Sequence, residues 1–169
     1  MNDNCKKIQG HVKAYLVGKG EKRLVADIHN TILGNTACSL ADLYAGGRRF
    51  IPTKMAFIYG SSALTLSGNF PTYEDITDAV SSSNLHVVPF SFRPSTDKAD
   101  EDYDNDNVAV FHAHTVSGPS GTIQNVVLLG GDGADPIPLS IATLGVSKPT
   151  NMELAVDWSI TFNEGISNE

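Results

Sequence analysis

Alternating apolar and polar residues near the C-terminus predict a β-strand with one buried face. The apolar positions are Leu154, Val156, Trp158, Ile160 and Phe162, and smaller or polar residues separate them. A two-residue period is typical of a strand that covers a core on one side. We therefore expect the only tryptophan of the chain to lie in the core.

Similar patterns along the chain predict a mainly β fold. Two apolar segments flank the turn Gly18-Lys19-Gly20-Glu21 and predict an N-terminal β-hairpin. Strands are predicted at 10–17, 23–29, 54–59, 85–92, 108–116, 123–129, 138–144 and 154–162. Pro89 favours an edge strand or a bulge. The continuous apolar run at 123–129 suits a central strand.

One segment follows a helical period instead. Apolar residues between 30 and 45 recur at intervals of three and four, and Gly46-Gly47 supplies a C-terminal stop. The pattern predicts one short amphipathic α-helix at 30–45. Crossover helices for a parallel sheet are missing from the pattern. The chain is therefore expected to form a single domain, 1–169, that is an antiparallel β-sandwich or a jelly-roll-like, partly open barrel with Greek-key connections.

Two segments are too long for hairpin turns and are predicted to be long loops. Segment 61–84 is rich in serine and threonine, and we expect it, together with the N-terminal hairpin, to contact a partner. Segment 93–107 is polar and holds six acidic residues between Asp97 and Asp106. Because burying so many carboxylates against a partner is costly, this second loop is expected to point into solvent.

Net charge, cysteine content and the lack of a long apolar run argue against several classes of function. The formal net charge of −7 argues against a nucleic-acid surface, which needs clustered lysine and arginine. The two cysteines, Cys5 and Cys38, are too few for a disulfide framework and are expected to be reduced and structural. No apolar run approaches the roughly 20 residues of a membrane span, and the N-terminus is polar, so we expect neither a membrane contact nor a signal peptide.

Two groups of residues resemble parts of metal sites. The oxygens of Asp102, Asp104 and Asp106 follow the opening of a calcium loop, but Asn107 replaces its glycine and Ala113 its final glutamate. His112 and His114 share one face of a predicted strand, without a third ligand at diagnostic spacing. The sequence therefore predicts an acidic loop and histidines that hydrogen-bond locally or line an interface, with no metal site.

Two glycine-containing segments were also considered as catalytic or cofactor loops. Gly130-Gly-Asp-Gly133 is followed by Pro136 and Pro138, whereas a phosphate-binding loop opens a helix. Segment 117–121 lacks the Gly-x-Ser-x-Gly pattern of a nucleophile elbow. The first segment is predicted to be a turn. The sequence therefore predicts no catalytic residue, no cofactor-binding residue and no enzyme.

Three stretches in fixed order resemble a group of small tailed-bacteriophage virion proteins. The first stretch, at 28–33, reads IHNTIL, and segment 52–62 follows it with PTKMAFIYGSS. The end of the chain reads GTIQNVVLL at 121–129 and ELAVDWSITF at 153–162, which is similar to the "L-x-V-x-W-x-I-x-F" close of that group. The resemblance implies a virion structural domain without catalytic residues, found on capsid surfaces, at fibre attachment points or on tails.

The resemblance implies a non-enzymatic capsid decoration, or cement, protein that binds the lattice of the major capsid protein. It would be made in the cytoplasm of the bacterial host, form a homo-oligomer such as a trimer, and lie on the outside of the virion head or tail. The alternatives are a tail, baseplate or head-fibre adaptor, and a host-surface or carbohydrate-binding module. Interface residues are expected among the apolar residues of the 61–84 loop. They are Leu64, Leu66, Phe70, Tyr73 and Ile76.

Overall fold

The chain folds into a mainly β domain, as predicted. A computed structural model describes residues 8–96 and 107–162, which form nine strands and two helices. The elements are β1 Gln9–Gly18, β2 Glu21–Ile32, α1 Asn35–Tyr44, β3 Pro52–Tyr59, α2 Tyr73–Ala79, β4 Leu85–Pro89, β5 Ser95–Thr96, β6 Val108–His114, β7 Gly121–Gly130, β8 Ile137–Lys148 and β9 Glu153–Thr161. Neither helix is long and apolar enough to cross a membrane.

The strands form one antiparallel sheet that curls into a nearly closed barrel. Their order is β4-β3-β7-β8-β2-β1-β9-β6-β5. The barrel nearly closes where β4, at one edge of the sheet, approaches β6 near the other. There the backbone N–H of Ser91, just after β4, donates to the carbonyl of His112 in β6 over 2.7 Å. In this strand order, the connections β2–β3 and β8–β9 each pass two intervening strands. They are Greek-key connections.

The predicted N-terminal hairpin is confirmed. Only Lys19 and Gly20 connect β1 to β2, and their φ angles are 52° and 76°. Two consecutive positive φ angles are the mark of the type I′ turn, whose twist matches that of the flanking strands. The hairpin is not peripheral, however, because β1 lies between β2 and β9 in the barrel wall.

The barrel interior is filled by alternate residues of its strands. In β9 every second residue from Leu154 to Ile160 is buried, which confirms the predicted alternation. Trp158 is fully buried, and its neighbours on the adjacent strands are Val12 and Phe111. Deep burial of this aromatic surface is a main source of stability in such a core.

A second core lies outside the barrel, over β3 and β7. Ala56 and Ile58 of β3 and Val127 and Leu129 of β7 are buried there beneath Ile76 of α2. Strand β7 is therefore covered on both faces, which explains its uninterrupted apolar run. Its predicted position as a central strand is confirmed, since it lies between β3 and β8.

A helix is found within the predicted 30–45 segment, but it begins later than predicted and buries less of its surface. Residues Thr31 and Ile32 continue β2 and pair with β8, so α1 begins at Asn35. Thr36 is the only buried residue of α1, while Leu43 and Tyr44 are 51% and 92% exposed. The helix is held at its first turn, and its C-terminal end projects from the barrel.

The two predicted long loops contain more structure than expected. Segment 61–84 includes α2 and a short 3₁₀ turn, Ser82–Asn84. Thr72 and Asp75 form a capping box at the start of α2, a signal visible in the sequence. In segment 93–107, residues 95–96 form β5, whereas the acidic residues at 97–106 lie outside the described residues. Cys5 also lies outside them.

Cys38 does not have the structural role predicted for it. Its thiol is free and the residue is exposed on α1. It therefore adds little to the packing of the domain.

Candidate functional site

The segment between β3 and β4, residues 60–84, is fixed to the barrel by one buried amide. Asn125 of β7 is fully buried, and its Oδ1 accepts from the backbone N–H of Leu64 over 2.7 Å. Its Nδ2 lies 3.3 Å from the Leu64 carbonyl and 3.2 Å from the hydroxyl of Thr143. Asn125 was missed in the sequence, although it is a lone amide within an apolar run.

A second set of contacts fixes the same segment to the start of α1. The Gly34 N–H donates to the Asn69 carbonyl over 2.7 Å, and a Cβ atom at Gly34 would overlap that carbonyl. The amide of Asn35 donates to the carbonyls of Pro71 and Pro138 at 2.7 and 3.0 Å. The backbone around residue 70 is therefore held in place from both sides.

An open cleft of about 690 Å³ lies between this segment, the first turns of α2, the start of α1 and the β7–β8 connection. We call it the α2 cleft. It is lined by Asn35, Phe70, Pro71, Thr72, Tyr73, Glu74, Thr77, Asp135, Pro136 and Ile137. Two aromatic side chains and two carboxylates thus share one concave surface.

The electrostatics of the α2 cleft are acidic. Burial raises the pKa of the Tyr73 phenol above 10.0, and the negative charge of Asp135 raises it further. The phenol is therefore neutral at physiological pH. Ion pairs among the described residues all involve histidine, so Glu74 and Asp135 have no basic partner there. The cleft thus presents two carboxylates that form no ion pair among the described residues, beside aromatic surface.

The predicted interface residues divide into three groups. Phe70 is 62% exposed, and Tyr73 is partly buried; both line the cleft. Leu64 and Leu66 are partly buried against the second core. Ile76 is fully buried, so its prediction as a contact residue is wrong. It faces β3 and β7 because α2 needs one apolar anchor on the sheet.

Four of the five histidines, His11, His29, His112 and His114, lie on the outward face of the wall formed by β2, β1, β9 and β6. His112 Nδ1 is 2.7 Å from Asp157 Oδ1, and His114 Nδ1 is 3.2 Å from Glu153 Oε2. His11 makes a similar contact with Asp27. The predicted local hydrogen bonding of the strand histidines is confirmed. Across residues 8–96 and 107–162, no three histidine, cysteine or acidic side chains are placed to hold a metal ion.

The Gly130-Gly-Asp-Gly133 segment is a turn, as predicted. Gly131 has a φ of 87° and donates its N–H to the Ile51 carbonyl over 2.9 Å, and the chain then enters β8 instead of a helix. Gly118 donates to the Thr150 carbonyl over 2.8 Å. The calcium-like aspartates at 102–106 lie outside the described residues.

Lys148 is a buried cation that the sequence did not reveal. Lys148 is 2% exposed, and its side-chain amine donates to the carbonyls of Pro119 and Pro149, the latter over 3.2 Å. Burial lowers the pKa of this amine, and the charge of Glu153 opposes that shift. Lys148 fixes the β6–β7 connection to the end of β8.

Comparisons with protein-family models, curated proteins and solved structures find no match to this chain.

Proposed function

We propose that this chain is a non-enzymatic structural protein of a bacteriophage virion, and specifically a decoration protein that binds the assembled capsid lattice. The order of the IHNTIL, PTKMAFIYGSS and closing-strand stretches supports the virion class through resemblance. The α2 cleft and its rim form the docking surface. The protein acts as a symmetric homo-oligomer such as a trimer, so that one oligomer meets several capsid subunits.

The observation that carries the docking role is an exposed aromatic on a rigidly held segment. Phe70 is 62% exposed, yet the backbone beside it is bound to Gly34 and Asn35. A side chain held in this way loses little conformational freedom on binding. Aromatic residues are also enriched at the centres of protein interfaces. Segment 60–84 thus has the properties of a preorganised contact surface.

The net charge of −7 fits a protein that stays soluble before it assembles. A decoration protein accumulates at high concentration before it meets its lattice, and like charges oppose premature association. The lattice then has to supply complementary chemistry at the contact.

Copy number and co-sedimentation test this function together. Virions should contain on the order of hundreds of copies, as symmetric lattice positions require, and purified protein should pellet with undecorated particles. Six or twelve copies would instead indicate a tail or portal position. Absence of the chain from purified virions would refute the virion assignment altogether.

Paired variants test which surface makes the contact. Phe70→Ser should strongly reduce particle binding, and Tyr73→Ser should reduce it further. Phe92→Ser is the matched control, because Phe92 is 69% exposed but lies outside the α2 cleft. Deletion of 98–105 should leave binding nearly intact. The docking assignment fails if the deletion or Phe92→Ser abolishes binding while Phe70→Ser does not.

A further inference from the structure

The α2 cleft has a charge pattern that selects among ligands. Glu74 and Asp135 bring two carboxylates to its walls, and Phe70 and Tyr73 bring aromatic surface. Asp135 and Tyr73 line the same cleft, one on the β7–β8 connection and the other at the start of α2. A cation beside the carboxylates therefore also has an aromatic surface within the same concavity.

Several ligand classes fit this pattern poorly. An anion would be repelled by the two carboxylates. An apolar ligand would remove Glu74 and Asp135 from water without pairing them, which is costly. The described residues offer no three-ligand group for a metal ion. A second copy of this chain also carries a charge of −7, so self-association at an acidic cleft is electrostatically unfavourable.

We infer that the α2 cleft binds an arginine or lysine side chain presented by a partner protein. A guanidinium group can donate to a carboxylate with two parallel N–H groups and stack on an aromatic ring at the same time. A lysine ammonium can form a single ion pair with a carboxylate and a cation–π contact with an aromatic ring. The partner chemistry rests on the proposed docking role of this surface and adds to it the identity of the anchoring group.

The cleft is large enough for the chain around that side chain as well. Its volume of about 690 Å³ lies within the usual range of sites that enclose a drug-sized ligand. It accommodates a basic side chain together with the neighbouring backbone. Thr72, the N-cap of α2, and Thr77 on α2 line the same space. The Thr72 hydroxyl accepts from the Asp75 N–H and can still donate, and the Thr77 hydroxyl donates to the Glu74 carbonyl and can still accept.

The chain's own arginines do not occupy the cleft. Arg48 and Arg49 line a separate cleft of about 480 Å³ that shares Asp135 and Ile137 with the first. Neither arginine forms an ion pair within the described residues. Arg49 instead lies over the ring of Phe50, 5.1 Å from its centroid. The acidic cleft thus stays open to a basic group from outside.

Amide chemical shifts in two-dimensional NMR spectra test the inference on the full chain. The probes are blocked tripeptides, acetyl-Gly-Arg-Gly-amide and acetyl-Gly-Lys-Gly-amide, with acetyl-Gly-Gln-Gly-amide as the neutral control. Both basic peptides should give saturable shifts at residues 70–77 and 135–137, and the glutamine peptide should give none. Raising the salt concentration should weaken the binding, since exposed charges are screened.

Charge-neutralising variants then identify the groups responsible. Glu74→Gln and Asp135→Asn should each weaken binding of the arginine peptide by about three- to fivefold, which is the upper part of the range for an exposed ion pair. Asp78→Asn is the matched control, because Asp78 is an exposed carboxylate on α2 outside the cleft. Equal loss in all three variants would show a general charge effect and overturn the assignment.

Three other results would also overturn the inference. The first is equal binding of the glutamine peptide. The second is a shift of the cleft amides when the protein concentration alone is raised, which would indicate self-association. The third is binding of a neutral oligosaccharide such as maltotriose that Asp135→Asn leaves unchanged, which would indicate a glycan site.

Failure of the inference can be told apart from failure of the proposed function. If the double variant Glu74→Gln, Asp135→Asn still pellets with particles while Phe70→Ser does not, docking holds and the basic anchor is wrong. If the arginine peptide binds the cleft but the protein never pellets with particles, the basic-side-chain site holds and the decoration role is wrong.

Discussion

Removal of the Asn125 amide should free segment 60–84 from the barrel. In Asn125→Ala the Leu64 N–H loses its acceptor at 2.7 Å, and the Leu64 carbonyl loses a donor at 3.3 Å. If the segment stays in place, these backbone groups remain partly buried without partners. If it detaches, Leu64 and Leu66 leave the second core. The variant is destabilised by either route.

The expected size of the effect follows from those two routes. A buried polar group left without a partner costs about 1–3 kcal/mol, and two are affected here. Because Leu64 is only partly buried, solvent compensates for some of the loss. We expect Asn125→Ala to lose about 2–4 kcal/mol of unfolding free energy, which lies toward the upper end for single substitutions.

Urea unfolding followed by the fluorescence of Trp158 measures the global effect, and hydrogen exchange with mass spectrometry locates it. Exchange in peptides covering residues 61–70 should accelerate more than exchange in β1 or β9. Gln124→Ala is the matched control on the same strand, because its amide makes one partly exposed bond of 3.0 Å to the Gly60 carbonyl. It should cost at most about 1 kcal/mol. Unchanged exchange at 61–70, with both variants equally stable, would refute the anchoring role of Asn125.

Two further predictions concern the barrel itself. Trp158→Ala should lose about 3–5 kcal/mol of unfolding free energy in urea melts. Trp158→Phe should lose less, because the indole N–H of Trp158 has no acceptor among the described residues and the side chain stabilises the fold through packing. A loss of under about 1 kcal/mol for the alanine variant would contradict the interior position of Trp158. Burial lowers the pKa of the Lys148 amine in the folded state below its unfolded value of 10.5. Between the folded and the unfolded pKa, the unfolded chain holds a proton on this amine that the folded chain has lost, so stability rises with pH. Unfolding free energies measured across that alkaline window should rise for the parent relative to Lys148→Met, whereas a constant difference would exclude a lowered pKa.

Most strands could be predicted from the sequence because their signals are local. The alternation around Trp158 and the turn at Lys19-Gly20 depend on neighbouring residues only, and the structure confirms both. The helix at 30–45 was misplaced for a physical reason. Ile32 and Leu33 fit a helical period, but pairing of Thr31 and Ile32 with β8 outweighs that local preference.

The α2 cleft could be predicted only in part. Phe70 and Tyr73 were expected contact residues, but Asp135 lies about 60 positions away along the chain and joins them only through the tertiary fold. Asn125 was hidden for a similar reason, since its partner Leu64 belongs to another segment. The capping box of Thr72 and Asp75 was available in the sequence and predicts α2, whereas the serine and threonine content around it favoured a loop.

The pairing of the first and last strands determines how the domain responds to mechanical force. Gln9 of β1 pairs with Thr161 of β9, and the two strands run antiparallel. Tension applied at these two residues therefore separates the ladder one hydrogen bond at a time, as in unzipping, instead of loading all the bonds together in shear. Unfolding under such a pull should begin by peeling β1 from β9, which uncovers Trp158 early. A domain with this geometry unfolds at low force when it is stretched between these two strand ends. It is better suited to contacts made through the outer face of its barrel.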